Sequence, residues 1–285
     1  VPQVTKKTLN VRGKVLSLQQ PLVMAILNST PDSFYAASRV TARNLSPVLS
    51  RVESLIAQGA DILDIGGYST RPGAKEVETD EELARILPVI THIHKHFPDT
   101  LISVDTFRSK VAEAAIQSGA HLINDVSGGN LDDKMFETVA RLQVPYVLMH
   151  MRGTPKTMSQ MTEYASFPGD VLKELQSKAQ RLKEMGVSDI IIDPGFGFSK
   201  TPDQNFSLIA NLALFRSLGH PLLVGVSRKS TVFTALNTTP DQALNGTTVL
   251  NTASLLHGAN ILRVHDVKEA REAVILTERL RKVKL

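Results

Sequence analysis

A chain of 285 residues, 42% of them hydrophobic, is long enough to bury a full core, and with no Trp and few aromatics that core must be aliphatic. The 32 basic and 28 acidic residues leave a net charge of +4 without any dense basic block interleaved with aromatics, so the charge is a weak argument for nucleic-acid binding. The absence of cysteine excludes disulfides, a thiol nucleophile and cysteine metal sites; no apolar stretch reaches signal-peptide or membrane-spanning length, and a soluble cytoplasmic protein is expected.

Residues Thr8 to Leu18 alternate around Arg12 and Gly13, which predicts a small β-hairpin expected to plug the bottom of the structure that follows. Eight short apolar runs then recur at roughly even intervals, nearly every one ending on or near a group that can bind or ionise. They are Val23 to Leu27 before Asn28, Ile62 to Ile65 with Asp64 inside it, Leu101 to Val104 before Asp105, and Leu122 to Ile123 before Asn124 and Asp125. Next come Tyr146 to Met149 before His150, Ile190 to Ile192 before Asp193, Leu222 to Val226 before Ser227, Arg228 and Lys229, and Ile261 to Leu262 before Arg263 and His265.

Apolar spacings of three and four between the runs predict helices over Asn44–Gln58, Asp80–Lys95, Arg108–Gln117, Asp132–Leu142, Gly169–Met185, Asp203–Asn211, Pro240–His257 and Val267–Val283. Several begin near Ser, Thr, Asp or Asn as N-cap candidates, and Gly59, Gly119, Gly186, Gly219 and Gly258 follow helices where a left-handed residue is wanted. Two connections, Asn28–Asn44 and Gly66–Thr79, are long and rich in Gly, Pro and hydroxyl residues, as loops that close over a substrate often are. Eight such units describe an α/β protein of the (β/α)8 TIM-barrel type, with catalytic groups collected at the C-terminal ends of the strands. One domain over residues 1–285 is expected, with the hairpin in 1–20 and the barrel in 21–285.

Asp193 opens DPGFGF at a strand end, where a carboxylate suits two parallel hydrogen bonds to a planar pair of donors. A lone Asp more commonly caps a loop or helix. Asp105 and Asn124 end other strands and would face the same space, and three inward polar groups are costly unless a polar ligand satisfies them. Lys229 and the pair Arg263 and His265 follow the seventh and eighth runs, where barrels often hold phosphate. Alternation puts Arg263 and His265 on one side of their strand, and with Asn28 opposite they read as a phosphate or diphosphate clamp. Met149 and Phe198 flank strand ends and could sandwich a flat heterocycle. In THIHKH, His92 and His96 have a metal-compatible spacing but no third ligand, so a helix C-terminus favouring positive charge is the better account. His150 is either a ligand or a polar group satisfied beneath the fifth loop.

Eight motifs resemble one family, dihydropteroate synthase of folate biosynthesis, the sulfonamide target. They are ILNSTPDSF (Ile26 to Phe34), DIGGYSTRPGA (Asp64 to Ala74), SVDTF (Ser103 to Phe107), INDVSGG (Ile123 to Gly129), LMHMRGTP, DPGFGFSKT (Asp193 to Thr201), GVSRKS (Gly225 to Ser230) and LRVHDV, in the family's order. The resemblance implies a single pterin-binding barrel domain and a magnesium-dependent transferase. Its reaction would condense 6-hydroxymethyl-7,8-dihydropterin diphosphate with 4-aminobenzoate. It implies Asp105, Asn124, Met149, Asp193, Phe198, Gly225 and Lys229 around the pterin, and Asn28, Thr70, Arg263 and His265 on the diphosphate, with Asn28 also on the magnesium. Phe34, Thr70, Arg71, Pro72 and Ser230 would border the aminobenzoate. Lys229, Asp105, Arg263 and His265 would carry the catalysis, and a homodimer through the last helices is implied.

Two departures stand out: Tyr35, Ala36, Ala37 and Ser38 replace a common Ser-Asp-Gly-Gly segment, and Tyr68 replaces an acid. A non-catalytic pterin-binding paralogue and a pterin-dependent methyltransferase are the alternatives; the second would not need the diphosphate clamp.

Overall fold

The predicted hairpin forms as β1 (Thr8–Val11) and β2 (Lys14–Ser17), antiparallel, with Arg12 and Gly13 at positive φ in its turn. It belongs to a computed structural model that describes residues 5–29, 45–68 and 76–283. After it come β3 (Leu22–Asn28), α1 (Ser46–Ala57), β4 (Ile62–Gly66), α2 (Thr79–His96), β5 (Leu101–Asp105), α3 (Ser109–Gln117), β6 (Leu122–Asp125) and α4 (Met135–Leu142). The second half holds β7 (Tyr146–Met149), α5 (Gly169–Glu184), β8 (Ile190–Asp193), α6 (Pro202–Ala210), β9 (Leu223–Val224), α7 (Ser230–Ala235), α8 (Leu244–Leu256), β10 (Ile261–Val264) and α9 (Val267–Lys282).

The eight strands β3 to β10 form one parallel sheet in the order β8-β7-β6-β5-β4-β3-β10-β9. The remaining gap lies between β8 and β9, because β9 has only two ladder residues; Ile192 N donating to Pro221 O at 2.8 Å and the Ile192–Leu222 bridge span it. The expected barrel therefore stands, with one thin seam.

Period-two alternation sorts each strand into two destinations. Val23, Ala25, Leu27, Leu63, Ile65, Ile102, Val104, Tyr146, Leu148, Ile190 and Ile192 pack outward against the helices in the main core. Met24, Ile62, Leu122, Val147, Ile191, Leu223 and Ile261 point inward and meet Leu9, Val11 and Leu18 of the hairpin segment. The hairpin thus closes the N-terminal end of the barrel, and Arg12 Nη2 ties it to Ile116 O and Ala120 O at the end of α3. With the bottom filled by apolar side chains, inward polar residues occupy the layers above it.

Several helices begin later than the spacing predicts. Asp132 does not start α4: its carboxylate accepts from Ser109 N and Lys134 N, and so serves the start of α3 instead. The stretch predicted as one helix from Pro240 divides into a short 3-10 turn at Pro240–Gln242 and α8 from Leu244. The segment Ser230–Ala235 is helical without having been anticipated. Among the described helices, side-chain N-capping occurs at α6, where Thr201 and Gln204 form a reciprocal capping box behind Pro202. The five glycines after helices do adopt positive φ; at Gly119 a Cβ would also lie 2.6 Å from the His94 ring. No described helix is long and apolar enough to cross a membrane.

Candidate active site

The inward layer above the apolar plug is built around Asp64. This residue alternates with Ile62 on β4, is fully buried, and accepts from Arg263 Nε at 2.6 Å and Asn124 Nδ2 at 3.0 Å, both on Oδ2. Arg263 reaches on with Nη2 to Asp105 Oδ2 at 2.5 Å. Four strands, β4, β5, β6 and β10, thereby contribute to one hydrogen-bonded cluster at the barrel centre. Burial pushes the Asp105 carboxyl up to about 7, Arg263 opposing and Asp64 and Glu82 adding to the rise. Burial by itself would lower the ionisation of Arg263, but Asp64 and Asp105 outweigh it and hold the guanidinium charged. Asp64 Oδ1 has no described partner, and two of the three Arg263 nitrogens are already engaged.

On the far side, Asp193 ends β8 and accepts from Gly195 N at 2.8 Å as the DPGFGF loop turns. Its carboxyl is raised by burial, against the pull of Lys229. Lys229 Nζ donates to Phe196 O at 2.6 Å and lies 4.7 Å from the centre of the Phe198 ring. Burial lowers its ammonium to about 8, with Asp193 resisting. Gly225 keeps the space between them open: a Cβ there would sit 3.8 Å from both Lys229 Nζ and Arg263 Cβ. Phe198 and Met149 pack with Val126, Met151 and Met158 in a small apolar cluster, with Phe107 and Leu131 at its edge. That cluster forms an apolar wall beside Asp193, whose strand neighbour is Met149, and Lys229, which lies over Phe198.

His265 follows β10. Ser227 Oγ accepts from His265 N at 3.1 Å and lies 3.0 Å from Nδ1, so one hydroxyl fixes both the backbone and the ring of His265. Arg228, at φ 52°, braces the same loop through both carboxylate oxygens of Asp266, at 2.9 and 2.8 Å, and through Pro240 O and Asp241 O. Asn28 is half-buried at the end of β3, and Ser230 is exposed at the start of α7. Phe34, Thr70, Arg71 and Pro72 lie outside the described residues, as does the Tyr35–Ser38 departure. Tyr68 is described: its ring meets Phe107 edge-on at 5.2 Å, and the Arg108 guanidinium lies over both rings while pairing with the buried Glu82.

The structure therefore brings Asp105, Asn124 and Arg263 together, and Asp193, Lys229 and Phe198 together, around one barrel mouth. Asp64 was not among the anticipated site residues, although a carboxylate at an inward position inside an apolar run was the available signal. His150 is buried between Lys200 and Glu174. His92 and His96 stack at 5.8 Å and bond backbone carbonyls of their own helix, and no group of three or more candidate metal ligands exists among the described residues.

The sequence matches a family described as "Pterin binding enzyme" over residues 24–265. It is 40% identical over 269 residues to the dihydropteroate synthase of Escherichia coli, covering 94% of each chain. It is 44% identical over 258 residues to the folic acid synthesis protein of Pneumocystis carinii, covering 87% of this chain and 34% of that protein, so the chain spans about a third of that relative. In three dimensions it resembles the Xanthomonas albilineans dihydropteroate synthase solved with 4-aminobenzoic acid, at a TM-score of 0.89 and 36% identity, covering 98% of this chain and 100% of that one.

Proposed function

The chain belongs to the dihydropteroate synthase family of pterin binding enzymes, and on that premise we propose that it is a transferase of folate biosynthesis. It joins 6-hydroxymethyl-7,8-dihydropterin diphosphate to 4-aminobenzoate, giving 7,8-dihydropteroate and pyrophosphate. The observation that supports this most is the pairing of two acids and an amide, Asp105, Asn124 and Asp193, with the apolar wall of Met149 and Phe198 at one barrel mouth. A flat heterocycle with several edge donors fits such a surface, because buried carboxylates need donors and the ring faces need apolar contact. In this reading residues 1–285 are one pterin-binding barrel domain acting in the cytoplasm.

Asp193 takes the ring N–H and exocyclic amine, Asp105 and Asn124 hold other pterin edge groups, and Lys229 donates to a ring acceptor. As the methylene carbon–oxygen bond breaks, its electron pair leaves with the diphosphate, and positive charge spreads from the methylene into the dihydropterin. The neutral aniline nitrogen forms the new carbon–nitrogen bond and loses a proton to solvent, with no covalent enzyme intermediate. The chain's own contribution is alignment and electrostatics. His265 Nε2 and the remaining Arg263 nitrogen, Nη1, which donates to no described residue, are assigned to the diphosphate. Because Asp64 and Asp105 hold the other two Arg263 nitrogens, this arginine serves the pterin pocket as well as the leaving group. Phe34, Thr70, Arg71, Pro72 and Ser230 are assigned to the aminobenzoate, with Thr70 shared with the diphosphate.

Magnesium keeps water and phosphate ligands and takes few from protein. Asn28 offers one half-buried amide oxygen with no hydrogen bond to it from described residues, and no group of three or more candidate metal ligands exists among the described residues. That donor set fits an ion arriving on the diphosphate, where it would supply charge neutralisation for the leaving group. A homodimer through α8 and α9 is supported by Val249, Leu256, Ile275, Leu276 and Leu280, all more than half exposed on helices that pack together. Release of pyrophosphate with both substrates and magnesium tests the function. Release without 4-aminobenzoate, or none at all from protein that binds pterin, refutes it, and the second outcome favours the non-catalytic reading.

A further inference from the structure

The DPGFGFSK segment carries both Asp193 and Phe198, yet beyond Asp193, the last residue of β8, its backbone is not held by sheet pairing. Gly195, Gly197 and Ser199 all have positive φ, and Gly195 presses so closely on the preceding loop that a Cβ there would lie 1.9 Å from His150 O. A backbone folded this way turns carbonyls inward. Phe196 O is met by Lys229 from the pocket side. Gly195 O and Phe198 O converge behind the loop on a different cation: Lys200 Nζ donates to them at 3.0 and 2.9 Å and to His150 Nδ1 at 3.0 Å. Three donors meet three acceptors on a buried ammonium.

We propose that Lys200 is a positioning residue for the pterin pocket, pinning the loop that carries Asp193 and Phe198 against His150 so that carboxylate and ring hold their binding geometry. The proposal rests on the functional reading above and goes beyond it, since Lys200 faces away from the substrate side.

His150 gains a definite task from this arrangement. Burial lowers Lys200 to about 7, with Asp193 resisting; in its charged form it only donates, so His150 Nδ1 accepts and the neutral ring keeps its proton on Nε2, which donates to Glu174 Oε2 at 3.0 Å. Burial holds the imidazole down at about 4, consistent with a neutral ring. Glu174 is gripped in turn by Arg152, whose backbone N–H donates to Ser199 Oγ at 3.0 Å and whose guanidinium lies 4.0 Å from the Tyr164 ring centre. Tyr164 returns to the loop, its hydroxyl donating to Ser199 O at 2.9 Å. The chain of contacts leaves the loop at Lys200 and re-enters it at Ser199.

The test is calorimetric binding of 6-hydroxymethylpterin, with steady-state kinetics beside it. Lys200→Met should weaken pterin binding about tenfold or more, the scale of a lost charge-assisted hydrogen bond. It should raise KM for the pterin diphosphate in step while KM for 4-aminobenzoate stays within about twofold, as expected if only one subsite is disturbed. His150→Asn, whose amide oxygen can replace Nδ1 as acceptor, should keep most of the affinity that His150→Leu loses. If Lys200→Met fails to fold, that histidine pair decides, and equal affinities for the two variants overturn the proposal. So does parental pterin affinity in folded Lys200→Met. A folded parent that binds no pterin overturns the functional reading and this proposal with it; unchanged binding in the variants overturns only the proposal.

Discussion

Replacing Asp64 by Asn probes the centre of the barrel with almost no change of shape. The carboxylate accepts from Arg263 Nε and Asn124 Nδ2 on one oxygen, in a fully buried position. An amide oxygen can still accept, but the bond from Arg263 becomes a charged-to-neutral one, at a loss of about 1 kcal/mol. The new NH2 falls where Oδ1 now has no described partner, and an unmet buried donor costs about 1–2 kcal/mol more. Relief of repulsion between Asp64 and Asp105 offsets part of this, since Asp64 helps keep the Asp105 carboxyl raised. A net loss of roughly 2 kcal/mol is expected, well short of the 3–5 kcal/mol for stripping a buried ion of its sole partner, because Arg263 retains Asp105. Urea unfolding, with the midpoint shifted at constant m-value, measures it. Pterin binding should weaken as well, through Arg263 and Asn124. A variant as stable as the parent would mean that the Arg263–Asp105 pair alone organises the layer, and the reasoning given for Asp64 would be wrong.

Asp193→Asn should weaken pterin binding by roughly 2–4 kcal/mol, as for a broken charge-assisted pair at a buried site, and unchanged calorimetric affinity would dismiss Asp193 as the pterin edge partner. With Asp105 raised to about 7 and Lys229 lowered to about 8, pterin affinity should rise as pH climbs through the first value and fall above the second. Lys229→Met should abolish the falling limb, and a flat parental profile would refute the assignment. For the fold the sign is opposite: burial favours protonated Asp105, so its stabilising contribution is complete below the ordinary value of 3.8 and is lost as pH rises towards about 7. Asp105→Asn should remove that slope from stability measured against pH. Leu276→Asp with Leu280→Asp should give monomers in sedimentation with little change in monomer stability, because both side chains are exposed on α9; a monomeric parent removes the dimer.

The barrel was legible because eight short apolar runs alternate with helix-length stretches of three-and-four spacing; which residues of a run face inward, as Met24, Ile62 and Val147 do, was not, because the runs are apolar on both faces. Period-two alternation placed Arg263 on the His265 side of its strand. It did not disclose that Arg263 would be engaged by two carboxylates, since the pairing joins residues 199 and 158 positions apart in sequence. Lys200 was invisible for a related reason. It follows a glycine-rich turn, and only the left-handed path through Gly195, Gly197 and Ser199 folds its ammonium back beneath the loop. Helix starts failed where a side chain served a neighbour, as Asp132 serves Ser109.

The thin seam between β8 and β9 has a thermodynamic side. A strand of two ladder residues contributes few hydrogen bonds, so the barrel should open locally there before it unfolds elsewhere. Asp193 stands on one bank of this seam, while Gly225 and Lys229 stand on the other. A ligand held by both banks acts as the cross-strand tie that the sheet itself lacks, and its binding energy becomes closure energy for the cylinder. Substrate and scaffold would then share one cooperative unit, with the weakest join in the wall set where occupancy can strengthen it.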